Sequence, residues 1–549
     1  MPRWIRNLVV YGLLLAGAAI FSFPFLWMAS TSIKVDREVQ KPGIHLIPIA
    51  PDPRAVSPYV DETYYEEPRG ERAAQIVSGL VAMLPELKFE APPELDAVDA
   101  ARMTARGLYG RLEGRIPGDV WKDAPVPEVL AKAREVALRD PLMLRDAFEN
   151  VYRRVYIGKL IVRSRELEQA ILGEGLPMAD RIANKTPEVA TLENRDFRGT
   201  PYALLKYDFT RGDRVVLEQT YDLPFDADRL ERIQLMFRPD DTWHDLWLTV
   251  EKNGRRLVAE RHLPLANFAQ TQTATWQEPG PDDRSTKLRT WLLLDDAGPS
   301  DVTGARQLKL TFELRRVSPA GAWWNKIRQN YDRVFDQMPF WRYVRVSAFL
   351  VVANIVLAMF FSSLVAYAFS RLNWPGREFC FVLMLATMMI PPQVTMIPRF
   401  LIWKSLGCYD TLTPLWLGSA MGSAFFIFLM RQTMKGIPRD LEDAARIDGC
   451  GFFRIYWSVM LPLVKPSLAA IAIFTFMGAW NDFMGPLIYI SDQRLYSLAF
   501  GLYAFSVQVG NNPVLTMAAA LLMTVPVIVI FFFAQKYFIQ GITMTGMKG

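Results

Sequence analysis

Six apolar stretches decide what this chain can become. They fall at about residues 8–29, 343–369, 379–403, 412–429, 468–490 and 513–537, each near the length that a hydrocarbon core demands of a helix. Inside a bilayer no water serves the backbone, so such stretches must be helical. The whole-chain averages conceal them. With 51% hydrophobic residues, a net charge of +5 and a mean hydropathy of +0.09 over 549 residues, the chain reads as ordinary. A long polar region between the first two stretches dilutes the rest.

The start, Met1-Pro2-Arg3-Trp4-Ile5-Arg6, has the charged end of a signal sequence. The apolar run that follows is long enough to span and lacks a small-residue cleavage site, which predicts a retained anchor. Lysine and arginine in the short loops set the orientation. Arg3, Arg6, Arg371, Arg377, Arg431, Lys435, Arg439, Arg446, Arg454, Lys465, Lys536 and Lys548 fall on one side. Arg399, Lys404 and Arg494 fall on the other. Both termini are therefore expected in the cytoplasm and residues 33–340 outside it.

The expected domains are a first span at 1–32, an outer insert at 33–340, and a core of five further spans at 341–549. In the insert, residues 72–175 read as helical, most clearly from Val129, Val136, Leu142, Leu144, Phe148, Val151, Val155, Ile157 and Ile161 among charges. Residues 173–200 read as a linker. From about 200 to 317 the pattern alternates, as in Arg214-Val215-Val216-Leu217 and Leu308-Lys309-Leu310-Thr311-Phe312. Asn253-Gly254 between two such runs is a hairpin signal. The fold class predicted is thus a polytopic α-helical membrane protein of about six spans, carrying a soluble α+β insert whose later half is an antiparallel β-sandwich.

The polar interval 431–466 carries the clearest local design. Leu441, Ala444 and Ala445 lie at i, i+3 and i+4, so a short helix starting near Pro438 presents a small apolar face. Glu442 and Asp443 suit its positive end. Gly449 and Gly451 permit a sharp turn. A second amphipathic piece then runs through Phe452, Phe453, Ile455, Tyr456, Val459 and Met460 to the breaks at Pro462 and Pro466. Such a helix-turn-helix makes a docking handle.

Asp443-Ala444-Ala445, Gly449 and Val459-Met460-Leu461-Pro462 resemble the EAA loop of ABC-importer permeases, with Asp for Glu at the first position, Val for Ile later, and the spacing kept. Further segments resemble carbohydrate permeases of the maltose-transporter type, the smaller of the two permease subunits. They are Phe23-Pro24-Phe25-Leu26-Trp27, Asn330-Tyr331, Ala366-Tyr367-Ala368-Phe369-Ser370-Arg371, Met389-Ile390-Pro391-Pro392-Gln393, Trp480-Asn481-Asp482-Phe483 and the tail from Gly541. The likeness covers roughly residues 1–53 and 323–549. The large insert departs from the pattern.

The resemblance implies a sugar-importing subunit of a bacterial inner membrane, working by alternating access. Its partners would be a second permease subunit, an ATPase dimer that binds ATP and Mg, and an extracytoplasmic solute-binding protein. Glu442, Asp443, Ala444, Ala445, Asp448, Gly449, Leu461 and Pro462 would couple the spans to that ATPase. Glu442 and Asp443 would orient or pair with it, Ala444 and Ala445 would seat in its groove, and Gly449 would make the bend.

The chain has no Gly-x-x-x-x-Gly-Lys-Ser/Thr loop of its own. His45, His244 and His262 are scattered without metal-ligand spacing. No catalytic motif occurs, and the basic residues form no nucleic-acid stripe. The paired acids Asp240-Asp241 and Asp282-Asp283 read as solvated turns. Gln393, Asn481 and Asp482 lie within apolar spans, where polar groups are costly. They are candidates for the translocation path, with helix–helix hydrogen bonding as the competing role.

Two other classes remain in view. One is a membrane-anchored protein whose insert binds or processes carbohydrate. The other is a sensor signalling through the spans. The insert is also expected to help capture cargo, given Trp243, Trp247, Trp276 and Trp291, although aromatic core packing accounts for such residues equally well.

Overall fold

The computed structural model describes residues 3–40, 45–164, 166–170, 179–197, 200–267, 271–280 and 291–543. They divide into two compact units. One takes in Met1–Ser32 and Asn330–Gly549, the other Ile33–Gly280 and Thr290–Gln329.

Among the described residues of the first unit, four helices are long and apolar enough to cross a membrane: Arg3–Ser32, Phe340–Arg371, Thr413–Lys435 and Pro513–Phe533. Two bent pairs also qualify. Arg377–Thr387 and Pro392–Ser405 meet at 100°, and Phe452–Leu463 and Lys465–Trp480 at 78°. The count is therefore four, or six with each pair taken as one span. The apolar run at 379–403 is interrupted at Pro391 and Pro392, which cannot continue a helix. The run at 468–490 likewise stops at Trp480, and a short helix, Met484–Tyr489, follows a break. A further apolar helix, Leu498–Gln508, was not expected. The first span carries almost wholly exposed side chains. Its end is tied down, since Asn330 donates to the Ser32 carbonyl at 2.8 Å and the Ser32 and Tyr331 hydroxyls lie 2.7 Å apart. Of the tail from Gly541, residues 544–549 lie outside the described residues.

The second unit begins with helices. Asp96 caps Ala97–Glu113 by accepting from the Val98 and Asp99 amides. Pro127 sits in the first turn of Val126–Arg139, where its missing N–H costs nothing. With Glu71–Met83 and Pro141–Glu149 these helices share a core of Ile76, Leu80, Leu108, Leu112, Val129 and Ala133. Helix ends at Glu149, not near 175 as expected. Residues Val155–Ser164 form a strand, because the β-branched Val155, Ile157, Ile161 and Val162 suit a pleated surface better than a helix. The expected linker at 173–200 contains the strand Ala190–Phe197, while residues 171–178 and 198–199 lie outside the described set.

Fourteen strands form one continuous sheet, not two separate ones. Its path runs Val56–Ser57, Thr200–Asp208, Val155–Ser164, Leu230–Arg238, Gln272–Gln277, Leu292–Pro299, Arg255–Ala259, Asp245–Lys252, Gln307–Arg315, Arg214–Asp222, Ala183–Asn184. The expected pairing was antiparallel throughout. One pair departs from it: Trp276 and Gln277 lie parallel to Leu292 and Leu293, after which the same strand pairs with Arg255–Ala259. That shared strand joins the two halves of the path, whose inner faces enclose one core, with Leu160, Leu205 and Ile233 on one side and Leu217, Leu248 and Leu310 on the other. Asn253 and Gly254, at φ 45° and 72°, make the expected two-residue hairpin.

Asp240 and Asp241 are not solvated turns. Asp240 is fully buried, accepting from the Tyr207 and Thr242 hydroxyls, each at 2.6 Å. Asp241 lies 2.6 Å from Arg37, and Arg153 sits 2.7 Å from Asp61. Partners of opposite charge make the burial tolerable. Burial pushes the Asp61 carboxyl up, but Arg153 and its other partners outweigh that and hold it below the usual range. Asp282 and Asp283 lie outside the described residues. Trp243 and Trp276 are core residues, at 3% and 1% exposure, whereas Trp247 and Trp291 are half-buried.

His244 is buried between segments. The Val317 amide donates to its Nδ1 at 3.2 Å, and its Nε2 donates to the Arg54 carbonyl at 2.9 Å. Burial pushes its pKa below the ordinary histidine value. The unfolded chain therefore takes up this proton first, so stability present above about pH 6.5 is lost as pH falls below it. Thermal unfolding of the full chain in detergent should occur earlier at pH 5.5 than at 7.5, and His244→Gln should flatten that difference. Trp276→Ala should cost about 3–5 kcal/mol in the same assay, as for a large aromatic removed from a core. Trp291→Ala should cost much less.

Candidate functional site: a docked loop and a cavity in the helical unit

The interval 431–466 folds as a helix, a turn and a second helix. Asp440–Ile447 carries Asp440, Glu442 and Asp443 in its first turn. It ends in a Schellman turn, in which the Cys450 amide reaches the Ala445 carbonyl at 2.9 Å and the Gly449 amide reaches that of Arg446 at 3.0 Å. Gly449 sits at φ +80°, the left-handed conformation such a turn requires. Phe452–Ile455 then widens into a π turn over Tyr456–Met460 before Leu461–Leu463. Pro462 has no N–H for the carbonyl four residues back, which accounts for the wider turn. Leu461 is half-buried, and Pro462 is exposed just before the bend.

The loop is anchored through a buried ion pair. Glu442 Oε1 lies 2.9 Å from Arg371 Nε, and both side chains are nearly fully buried. Arg371 ends the long helix Phe340–Arg371 and also donates to the carbonyls of Met434 and Ile437. It thus closes orphan carbonyls at the end of Ala424–Lys435 while holding the loop. Tyr456 adds a 2.7 Å hydroxyl contact to Ser363 and packs on Tyr367. Ala445, Ile455 and Met460 join the core beneath.

The predicted coupling residues therefore split. Glu442 and Ala445 are buried against the core beneath the loop. Asp443, Ala444, Asp448 and Gly449 are exposed. Around them stand Ile447 at 87% exposure, Phe453 at 65%, Phe452 and Trp457, an apolar face left open outside the long apolar helices.

A second feature is a cavity of ≈ 470 Å³ in the same unit, between Phe340–Arg371, Thr413–Lys435 and the broken segment 474–489. Asn354 spans it. Its Nδ2 donates to the carbonyls of Leu350 and Leu415, and its Oδ1 accepts from Ser419. Among the three path candidates, Asp482 lines the cavity. Its Oδ1 accepts the Gly485 amide, in the first turn of Met484–Tyr489, at 3.0 Å. Asn481 is exposed and donates to the Met477 carbonyl of its own helix. Gln393 is exposed at the start of Pro392–Ser405 and does not line the cavity. Sequence reasoning missed Asn354 and Arg371. Asn354 was findable as a polar residue in mid-span. Arg371 counted only as a loop charge, since its partner lies far along the chain.

Among the described residues no group of three or more metal-binding side chains occurs. Residues 346–544 match the family described as binding-protein-dependent transport system inner membrane component. The chain is 37% identical over 221 residues to the arabinooligosaccharides transport system permease protein AraQ of Halalkalibacterium halodurans, covering 40% of this chain and 79% of that one. It is 31% identical over 268 residues to the putative ABC transporter permease protein ORF2 of a Caldicellulosiruptor species, covering 48% and 95%. Among solved structures it is similar to a bacterial ABC transporter involved in the import of the acidic polysaccharide alginate. That likeness has 28% identity and a TM-score of 0.35, and it covers 38% of this chain and 79% of that one.

Removing one member of a buried ion pair leaves the other uncompensated, at about 3–5 kcal/mol. Arg371→Ala should therefore lower the melting temperature and expose the loop to protease, cutting first between 439 and 451. Arg371→Met with Glu442→Leu should recover much of the stability. A double variant no better than Arg371→Ala would show that the pair does not anchor the loop.

Proposed function

The chain belongs to the family of binding-protein-dependent transport system inner membrane components, and from that premise we propose that it carries a sugar or oligosaccharide inward across a bacterial cytoplasmic membrane. It acts as one permease subunit of an ATP-driven importer. The observation that carries the coupling mechanism is the loop at 439–463, anchored on Arg371 through Glu442 with Ile447, Phe452, Phe453 and Trp457 exposed.

A separate ATPase dimer, holding ATP and Mg, docks on that face. Asp443, Ala444 and Asp448 meet it, and Gly449 sets the angle between the two helices. Closure of the dimer pushes the loop. The push passes through the Glu442–Arg371 pair into Phe340–Arg371 and, across the bend before Lys465, into Lys465–Trp480. Leu461 and Pro462 stand at that bend. The spans then exchange inward-facing and outward-facing states.

Arg377–Thr387 with Pro392–Ser405 makes one crossing and Lys465–Trp480, without the loop helix Phe452–Leu463, makes another, for six in all. Both termini and the loop face the cytoplasm, and residues 33–340 lie outside. A second permease subunit completes the channel, and an extracytoplasmic binding protein delivers the cargo. Asp482, on the cavity, belongs to the path. Gln393 and Asn481, exposed on the segments that supply its lining, are assigned to the same path. The chemistry of ATP hydrolysis belongs to the partner, so this chain is a transport component and not an enzyme.

The test is co-purification from detergent. Wild type should bring down an ATPase. Ala444→Asp with Ile447→Asp, both at exposed positions, should lose it by about tenfold or more while melting like wild type. Absence of any ATPase with the wild type would defeat the reading.

A further inference from the structure

We propose that the cavity of the helical unit is a subsite for a carboxylate, and that the cargo is an acidic saccharide such as a uronate-containing oligosaccharide. The inference rests on the reading that this chain lines a sugar's path. It names the substrate class.

At ≈ 470 Å³ the cavity has room for a small ligand. Among the described residues two charged side chains line it, Arg399 and Asp482. The acid is already committed. Asp482 Oδ1 accepts the Gly485 amide, and its Oδ2 covers Gly485 so closely that a Cβ there would come within 2.4 Å. The amide of Asn354 is committed too, its donor to two carbonyls and its acceptor to Ser419.

What remains uncommitted includes one group that can only donate, the Arg399 guanidinium. Arg399 has no carboxylate within 4.0 Å among the described residues. The hydroxyl of Thr475, also on the lining, is buried without a hydrogen-bond partner. A neutral sugar offers hydroxyls that both give and accept, and it needs acceptors from its site as well. A carboxylate only accepts. It fits the planar guanidinium fork through two parallel charge-assisted bonds.

Specificity is tested by uptake in cells carrying the complete transporter, with wild type, Arg399→Gln or Arg399→Lys in this chain. The probes are trimers of galacturonate, glucuronate and mannuronate, each beside its methyl ester, which has the same sugars without the charge. Wild type should take up at least one acid trimer in preference to its ester. Arg399→Gln should cut that uptake by about tenfold or more, the scale of one lost bidentate ionic contact. It should leave ester uptake and the amount of assembled complex unchanged, and Arg399→Lys should fall between. The proposal is overturned if Arg399→Gln leaves acid uptake intact, or if wild type does not prefer acid to ester. It is equally overturned if acid and ester fall together, which would mark Arg399 as a structural or lipid-headgroup contact. Entry of neutral oligosaccharides alone would overturn the substrate class while sparing the transporter. Entry of no sugar of any kind would instead defeat the transport reading beneath it.

Discussion

Every break in the helical unit has to answer the same constraint: a bilayer core supplies no water to a backbone N–H or carbonyl. Arg3–Ser32, Phe340–Arg371 and Pro513–Thr543 satisfy it by running unbroken. The other segments do not, and polar side chains fill the gaps. Asn354 takes up the Leu415 carbonyl where the segment Thr413–Lys435 loosens into a 3₁₀ turn at Gly418–Met421. Asn481 takes up that of Met477, and Asp482 the amide of Gly485. Ser347 Oγ accepts the Leu498 amide at 2.7 Å as the next helix begins. Asn354, Leu415, Asp482 and Gly485 line the cavity. Irregular backbone at this depth is tolerated where it lines such a space, so the cavity and the broken helices have one cause.

The loop obeys a related economy. Arg371 lies at the end of a long helix, where unsatisfied carbonyls and a buried carboxylate converge on one planar cation. A lysine could reach one of these groups. The guanidinium reaches Met434, Ile437 and Glu442 together. With its inner face held, the loop presents its outer one as a firm apolar patch, the kind of surface that marks an interaction site.

The sheet-bearing unit carries its own core and its own closure. Where the chain enters it, Glu38 is buried against Lys326, a residue of the segment by which the chain leaves. Both are almost inaccessible, and Glu38 also accepts the Ile49 amide at 2.8 Å. The ion pairs among Arg37, Asp61, Arg153 and Asp241 connect helical and sheet portions of the same unit.

Apolar run length and turn chemistry were legible along the chain. Leu8 to Ala29 had to be a long helix, Asn253-Gly254 had to be a tight hairpin, and Gly449 had to end a helix, because each rests on neighbours within a few residues. The strand at Val155–Ser164 was misread, since its apolar residues also match a helical period. Its β-branched content was the better guide. The pairing of side chains was not legible. Asp240 and Asp241 looked like surface turns and are buried against Tyr207 and Arg37. Glu442 looked like a residue offered to a partner, and it is turned inward onto Arg371. By itself the sequence determined which segments are apolar, where the tight turns at Asn253-Gly254 and Gly449 fall, and the family to which the spacing of the loop points. Only the tertiary structure decided which charges are spent internally and which face a cavity or a partner. Hydrophobic periodicity is a local property of the chain, whereas the partner of a buried charge is chosen by folding from segments far away in it.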